Sequence, residues 1–389
     1  MRLRVCIPKV EPSVMDAPEV CPYPDCDGRH FKIHQQRCNK PLRDTKYSQV
    51  NALRRKCLRC GRTHRVYPKG VSKAHHSDRL KGLAVLLYLL GLSYGGVEDA
   101  LVALECPLSK TTVYRDVQAA GEKVRQLRRA WLQRQAGKVR VVGGDPTRVR
   151  CGGQDVVVGV VVDDERGITL DIVLLDNEQT ETLKAWLLPM LELVGAEVLI
   201  SDDANGFKEV ADEAGVRHQI CRRHVTTNVL TFIAEAAEQV WENPPPVPEG
   251  LAVSPDQLPA DLELLEWIIL GHPGHGARLL EEMYLRYAHA PPPKKGERAT
   301  IWYRMRNRIL HLWNNRERLT CYLTLRHSEG VEINATNNST ERAIGWTVKE
   351  RYRTMRGYKR KRSILNVTAL TGWLLEQPVG YDMSPLFAA

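Results

Sequence analysis

Three carboxylates stand where the pattern of the chain changes: Asp145 after an apolar stretch at 140–144, Asp202 after AEVLIS (196–201), and Glu341 after TNNST (336–340). Three hard oxygen ligands with no histidine among them suit Mg²⁺ or Mn²⁺. Two such ions about 3.5–4 Å apart would activate water or a 3′-hydroxyl and stabilise the leaving oxygen of a phosphodiester. Any one acidic residue at a strand end is more simply a solvated group; three in this order call for a joint explanation. A second donor set lies near the N-terminus, in CPYPDC (21–26) and CLRC (57–60). Cys21, Cys26, Cys57 and Cys60 form two close thiolate pairs separated by a loop, as one tetrahedral Zn²⁺ requires. Cys38, His30 and His34 compete for one of the four positions. Free buried thiols would leave the pairing unexplained, and the segment is too polar to fold on apolar burial alone.

The elements around these residues can be read from periodicity. VVVGVVV (156–162) is an unbroken apolar run, typical of a buried central strand. DDERG (163–167) makes a turn, and 168–175 alternates, with Ile168, Leu170, Ile172 and Leu174 on one face. A helix over 178–193 contains Pro189, where a kink is expected. Strand 196–201, a helix over about 206–213 and strand 216–221 follow. Three strands, then helix, strand, helix, strand resembles the order of a ribonuclease H-like fold. There the first and fourth strands are neighbours, so Asp145 and Asp202 would meet. Glu341, opening a long helix over the sheet edge, would complete the site. Residues 229–330 are mostly helical by pattern, interrupted by NPPPVPEG (243–250) and APPPKKGER (290–298), and read as an all-helical insertion.

Ahead of the strands, helices are expected over 78–91, ending at the cap Gly91, and over 94–104. After Pro107, a third helix is capped by Ser109, with Val113, Val117 and Val124 inward. This is the helix-turn-helix arrangement, whose recognition helix would bring Lys110, Thr111, Thr112, Tyr114 and Arg115 near DNA. Taken alone, a plain three-helix bundle explains the pattern equally well. Arg43, Lys46, Arg54, Arg55, Lys56, Arg59, Arg62 and Arg65 in the preceding segment suit phosphate contacts and favour DNA.

Charge agrees with that reading. Residues 1–140 carry 28 Lys and Arg against 12 Asp and Glu, residues 141–341 carry 19 against 31, and residues 342–389 carry 9 against 3. Basic ends around an acidic middle suit a polyanion gripped by the ends and a metal site between them. The nine basic residues after Glu341 all fall between 342 and 362, with Glu350 the single acid and Tyr352 and Tyr358 interleaved. The longest apolar run, at 83–92, holds about ten residues where a membrane span needs about twenty. No apolar signal core opens the chain. A soluble, cytoplasmic protein is expected.

The stretch SDDANGFKEV…HQICRRHVTTN (201–228) resembles the mutator-like superfamily of insertion-sequence transposases: Ser201, Asp202, Gly206, Phe207, Cys221, His224 and Asn228 match its motif. Asp203 stands where the family usually has glycine, so the resemblance implies Asp202 as the ligand. TNNSTER…RGYK resembles the closing motif of several bacterial insertion-sequence families. It implies Glu341 as the third ligand and Lys349 and Arg353 as DNA or phosphate contacts, with Lys349 one position later than the common spacing. GGDPTRVR around Asp145 is a weaker match. The likeness runs from about Cys21 to Trp373 and is weakest over 229–330. Cys221 and His224 alone do not make a zinc site and are read as site-shaping. Trp241 and Trp267 in the insertion are read as core residues rather than as stacking on a base.

The expected fold is multidomain α+β: a zinc ribbon (1–72), a helix-turn-helix domain (73–137), a ribonuclease H-like α/β core (138–228), a helical insertion (229–330) and the C-terminal part of the core with a basic helix (331–389). The function implied is that of a prokaryotic, nucleoid-associated DDE transposase. It would bind the ends of its element and join them to target DNA, with two Mg²⁺ or Mn²⁺ ions, one structural Zn²⁺, double-stranded DNA as partner and at least a dimer as the assembly. The rivals are a catalytically inactive, transposase-derived DNA-binding regulator and a ribonuclease H-like nuclease that does not join.

Overall fold

The computed structural model describes residues 3–388 except 243–245, 252, 255, 272–275 and 356, and leaves out the side chains of residues 241 and 242. After the short strand β1 (Val5–Cys6), strands β2 (Glu11–Asp16), β3 (Phe31–Pro41), β4 (Gln49–Cys57) and β5 (Thr63–Lys69) make an antiparallel sheet in the order β2-β5-β4-β3. Three helices come next: α1 (Asp78–Leu89), α2 (Tyr94–Ala103) and α3 (Lys110–Gln133). Each starts behind a serine, Ser77, Ser93 or Ser109, whose hydroxyl accepts the backbone N–H three residues on. That bond satisfies one of the donors a helix start leaves free.

The central sheet is built from β6 (Val141–Cys151), β7 (Gln154–Asp163) and β8 (Ile168–Leu175), then α4 (Thr180–Val194), β9 (Val198–Ser201), α5 (Asn205–Ala214) and β10 (Arg217–Ile220). Its order is β10-β9-β6-β7-β8; β6, β7 and β8 are antiparallel, and β9 and β10 run parallel to β6. The first and fourth strands of this sheet, β6 and β9, are neighbours, as expected. The valine run in β7 has no polar alternation because both faces are covered. Val158, Val160 and Val162 pack in the cluster that holds α1 and α3, while Val161 packs under α4 and α5. Pro189 sits inside α4.

The chain then runs through α6 (Arg222–Glu242), α7 (Gln257–Leu270), α8 (Ala277–Tyr287), α9 (Ile301–Asn314), α10 (Arg316–Leu319) and α11 (Cys321–Glu329). Helices α6 to α9 close around Trp302, Tyr287, Met305 and Ile309, and Ile220 at the end of β10 joins that cluster. Helix α12 (Asn338–Ala343) passes into a π-turn (Ile344–Lys349) and α13 (Glu350–Arg353). Helix α14 (Lys361–Glu376) and strand β11 (Tyr381–Asp382) complete the chain, with β11 parallel to β1.

Two arrangements differ from the expectation. The helix opened by Glu341 stops at Arg353. The Tyr358 N–H donates to Arg150 O and Gly152 N–H to Tyr358 O, so residues 357–360 lie beside the end of β6 and only α14 resumes the helix. Second, α3 is packed along its length on α14. A Cβ at Gly121 would sit 2.4 Å from Asn366 O, so only glycine permits this crossing. Arg128 pairs with Glu376 and Arg362 with Glu122 across it. Helices α1 to α3, one face of β7 and α14 therefore share one apolar core.

Candidate active site

Asp145 lies on β6 opposite Val160 of β7. Gly143 of β6 pairs with Ile200 of β9, so Asp145 stands level with the point where β9 ends and Asp202 begins the turn into α5. The Ala204 N–H donates to Asp202 Oδ1 at 3.1 Å and fixes that turn. Glu341 comes from α12, which reaches the sheet because Gly143 has no side chain. A Cβ there would lie 2.3 Å from Thr340 Oγ1 and 3.3 Å from Asn337 Oδ1, both fully buried residues.

The electrostatics tie the three carboxylates together. Burial, and then the charges of Asp202 and Glu341, push Asp145 up to about 7, while Lys349 pulls it down. Burial also raises Asp202. Carboxylates held together against their own repulsion are the donor set of a hard divalent ion, and in that sense the residues fit Mg²⁺ or Mn²⁺. Their ligand atoms do not all lie within 4.8 Å of one another. Among the described residues the groups that do are the four ribbon cysteines and Cys221, His224 and Glu341.

Asp203 is occupied elsewhere. Its Oδ2 lies 2.6 Å from His311 Nε2 of α9, and its Oδ1 2.8 Å from Lys208 Nζ. Burial alone would raise its pKa; those two partners outweigh burial and lower it. Beneath Asp202 the protons are ordered. Arg318 of α10 can only donate, so His218 Nδ1, at 3.2 Å, accepts. His218 Nε2 therefore carries the hydrogen and donates to Ser201 Oγ at 2.8 Å, and that hydroxyl donates to the Asp202 carbonyl at 3.0 Å. Burial pushes His218 down to about 3, so it stays neutral in this role.

Cys221 is buried before α6, and its Sγ accepts the Asn337 N–H at 3.3 Å. His224 Nε2 lies 3.5 Å from Glu341 Oε1, and Arg223 Nη1 3.6 Å from Glu341 Oε2. Lys349 is eight residues beyond Glu341; at about 100° per residue an ordinary helix would turn it about 80° aside. The π-turn over Ile344–Lys349 accommodates an extra residue and brings Lys349 back to the face where its charge acts on Asp145. Arg353 is exposed. Arg351, by contrast, is buried. It stacks 4.2 Å from the Tyr88 ring centroid and donates to Leu92 O at 2.9 Å, fastening the site helix to α1 and the α1–α2 turn. Tyr352 and Tyr358 are likewise structural: they stack on each other, and the Arg150 N–H donates to Tyr352 Oη. Sequence reasoning on this strip missed Trp346, 56% exposed on the π-turn that follows Glu341; an aromatic residue five positions after Glu341 was the available signal.

In the ribbon, Cys21 and Cys60 lie 3.8 Å apart, as do Cys26 and Cys57, and all four sulfurs fall within 4.8 Å. A tetrahedron with Zn–S of about 2.3 Å has edges of about 3.8 Å, so these residues fit one Zn²⁺. A hydrogen bond from the Arg62 N–H, then its guanidinium, holds Cys60 down to about 6, while burial pushes Cys21 up to about 12. Cys38, His30 and His34 lie outside the group.

At the start of α3, Lys110, Thr111 and Arg115 are exposed, and the Thr112 hydroxyl is hydrogen-bonded to Ser109. Tyr114 packs edge-on against Tyr94, with Arg360 5.7 Å from its ring centroid. The basic C-terminal segment thus adjoins the start of α3. Trp267 is 58% exposed, not a core residue, because α7 turns Leu262, Leu265, Ile268 and Ile269 inward instead. The side chain of Trp241 lies outside the described residues.

No family model matches the chain, and no curated protein matches it. Among solved structures it is similar to the HTLV-2 integrase catalytic core domain in complex with magnesium. The trimeric form is 17% identical over 33% of this chain and 84% of that one, and the dimeric form 15% over 33% and 85%; the TM-score is 0.19 for each. No helix among the described residues is long and apolar enough to cross a membrane.

Proposed function

We propose that the protein is a DDE-type transposase that binds the ends of its own mobile element, cleaves there and joins the freed 3′-hydroxyls to target DNA. The observation that carries this reading is the meeting of Asp145, Asp202 and Glu341, drawn from β6, the end of β9 and α12, with Asp145 raised by burial and then by the charges of the other two. These three would hold two Mg²⁺ or Mn²⁺ ions, which when bound activate the attacking hydroxyl and stabilise the leaving oxygen. Asp203, committed to His311 and Lys208, positions the insertion instead.

The chain's own residues would do the rest. Lys349 and Arg353 offer charge to the phosphates beside the carboxylates. Lys110, Thr111 and Arg115 at the start of α3 would read the element end, with Tyr114 as their packing support. The zinc ribbon, loaded through Cys21, Cys26, Cys57 and Cys60, supplies a further basic surface. Arg351 joins the reading helices to the cutting helix. Two ends must be held at once, so the working form is at least a dimer, in a prokaryotic cytoplasm at the nucleoid.

The test uses DNA carrying the flanks of this gene. Asp202→Asn is expected to keep end binding and lose cleavage, while Asp203→Asn retains cleavage at a reduced level. Cleavage by Asp202→Asn at the wild-type rate would sink the assignment.

A further inference from the structure

Cys221, His224 and Glu341 form a third donor set whose chemistry differs from the other two. Each offers one ligand atom, and the three atoms lie within 4.8 Å of one another. Cys221 and His224 stand three residues apart across the start of α6, on one face. Glu341 faces them from α12, and the Asn337 N–H that begins α12 is bonded to Cys221 Sγ, so one junction fixes both sides. His224 Nδ1 and Glu341 Oε1 are buried atoms with no hydrogen-bond partner. Buried polar atoms are almost always paired, yet Glu341 Oε1 has only His224 Nε2, at 3.5 Å and outside hydrogen-bond geometry, and His224 Nδ1 has no hydrogen bond. The His224 side chain is still 45% exposed, which leaves an ion a way in.

A thiolate, an imidazole and a carboxylate are donors for Zn²⁺ or Co²⁺, whereas Mg²⁺ takes oxygen. Three protein ligands with a fourth position left to solvent is the form of an exchangeable zinc site rather than a closed structural one. We propose that Cys221, His224 and Glu341 bind a thiophilic divalent ion such as Zn²⁺, and that occupancy withdraws Glu341 from Asp145 and Asp202 and so inhibits the enzyme. The inhibition rests on the function proposed above; the binding does not. On binding, the Cys221 thiol releases its proton to solvent, and thiolate and carboxylate together neutralise the ion. Arg223, 3.6 Å from Glu341 Oε2, must give way to the incoming charge. If these residues only pack and pair, Cys221 remains a buried thiol and no metal–sulfur bond forms.

The experiment loads the full chain with one equivalent of Zn²⁺ for the ribbon and then titrates Co²⁺, following thiolate-to-cobalt charge transfer. A second equivalent is expected to bind with a thiolate band. In Cys221→Ser and, independently, His224→Ala, the band should vanish or the affinity fall at least about tenfold, since losing a ligand costs no less than losing its support. Circular dichroism checks that both variants fold. Saturation at the ribbon alone, or an unchanged band in folded Cys221→Ser, overturns the site. In parallel, Zn²⁺ is expected to inhibit Mg²⁺-supported DNA cleavage by the wild type, and Cys221→Ser to need at least about tenfold more. Binding at the second site without inhibition overturns the regulatory half. If the protein cleaves no DNA at all, the cobalt titration still decides the site, so the two readings fail separately.

Discussion

Asp145→Asn should stabilise the metal-free protein while destroying its chemistry. Asp145 is pushed up to about 7 from an ordinary 3.8 by burial and by two like charges. The sign comes from proton linkage. Between pH ~4 and ~7 the folded state holds a proton that the unfolded state has lost, so stability falls as pH rises through that window. Above it the folded protein carries an ionised Asp145 at a cost of about three pKa units, or at most about 4 kcal/mol. Asparagine keeps the shape and removes the charge. The assay is urea unfolding at pH 5 and pH 8 in chelator, for wild type and variant. The variant is expected to be more stable at pH 8 by up to about 4 kcal/mol and at pH 5 by only about 1.5 kcal/mol. Added Mg²⁺ should raise the wild type at pH 8 and leave the variant almost unmoved, because a ligand that binds only the folded state stabilises it by mass action. Equal stability at pH 8, or a variant that keeps the wild-type pH dependence, would refute the repulsion argument and with it the joint site.

The geometry leads to three further outcomes. Gly143→Ala puts a methyl 2.3 Å from Thr340 Oγ1 and should displace α12, costing about 1–3 kcal/mol and most of the cleavage rate while DNA binding persists; gel shift and cleavage assays separate the two. Trp346→Ala, at an exposed position, should leave the unfolding midpoint unchanged but weaken binding of a single-stranded DNA end by roughly 1–3 kcal/mol, the worth of one base stacked on an indole; unchanged affinity would exclude the stack. Arg351→Ala removes both the stack on Tyr88 and the bond to Leu92 O; faster proteolysis between the reading helices and α13 is expected, with binding and cleavage lowered together.

The parts of this molecule visible in its sequence are those set by local rules. Ser109 announces the start of α3 through one hydroxyl bond, and the boundaries expected for the first two helices agree with α1 and α2 within about two residues. The valine run of β7 is typical of a strand covered on both faces, and β7 is so covered. Spacing paired the ribbon cysteines but left Cys38, His30 and His34 as rivals for one position, and only the fold brings the four sulfurs of Cys21, Cys26, Cys57 and Cys60 within 4.8 Å. What stayed hidden depends on which face meets which partner. Helix α7 is apolar nearly all round, so periodicity gave no reason to place Trp267 outside. The run of cations after Glu341 read as one basic strip, yet Arg351 is buried because an aromatic ring and a carbonyl of another segment meet it. A π-turn leaves no mark in composition, so Lys349 looked one residue out of place. The Cys221–His224 pair lacked its third member because Glu341 is more than a hundred residues away along the chain.

The central claim is that Asp145, Asp202 and Glu341 act as one metal-dependent site for DNA cleavage and joining. The most direct measurement incubates purified protein with DNA carrying the gene's flanks and a target plasmid, with Mg²⁺ or Mn²⁺, and quantifies 3′-end cleavage and joined product for wild type, Asp145→Asn and Glu341→Gln. The account predicts metal-dependent joining by the wild type and its loss in both variants, with end binding kept. Joining by either variant at the wild-type rate, or end binding by the wild type with no cleavage under either ion, would contradict it.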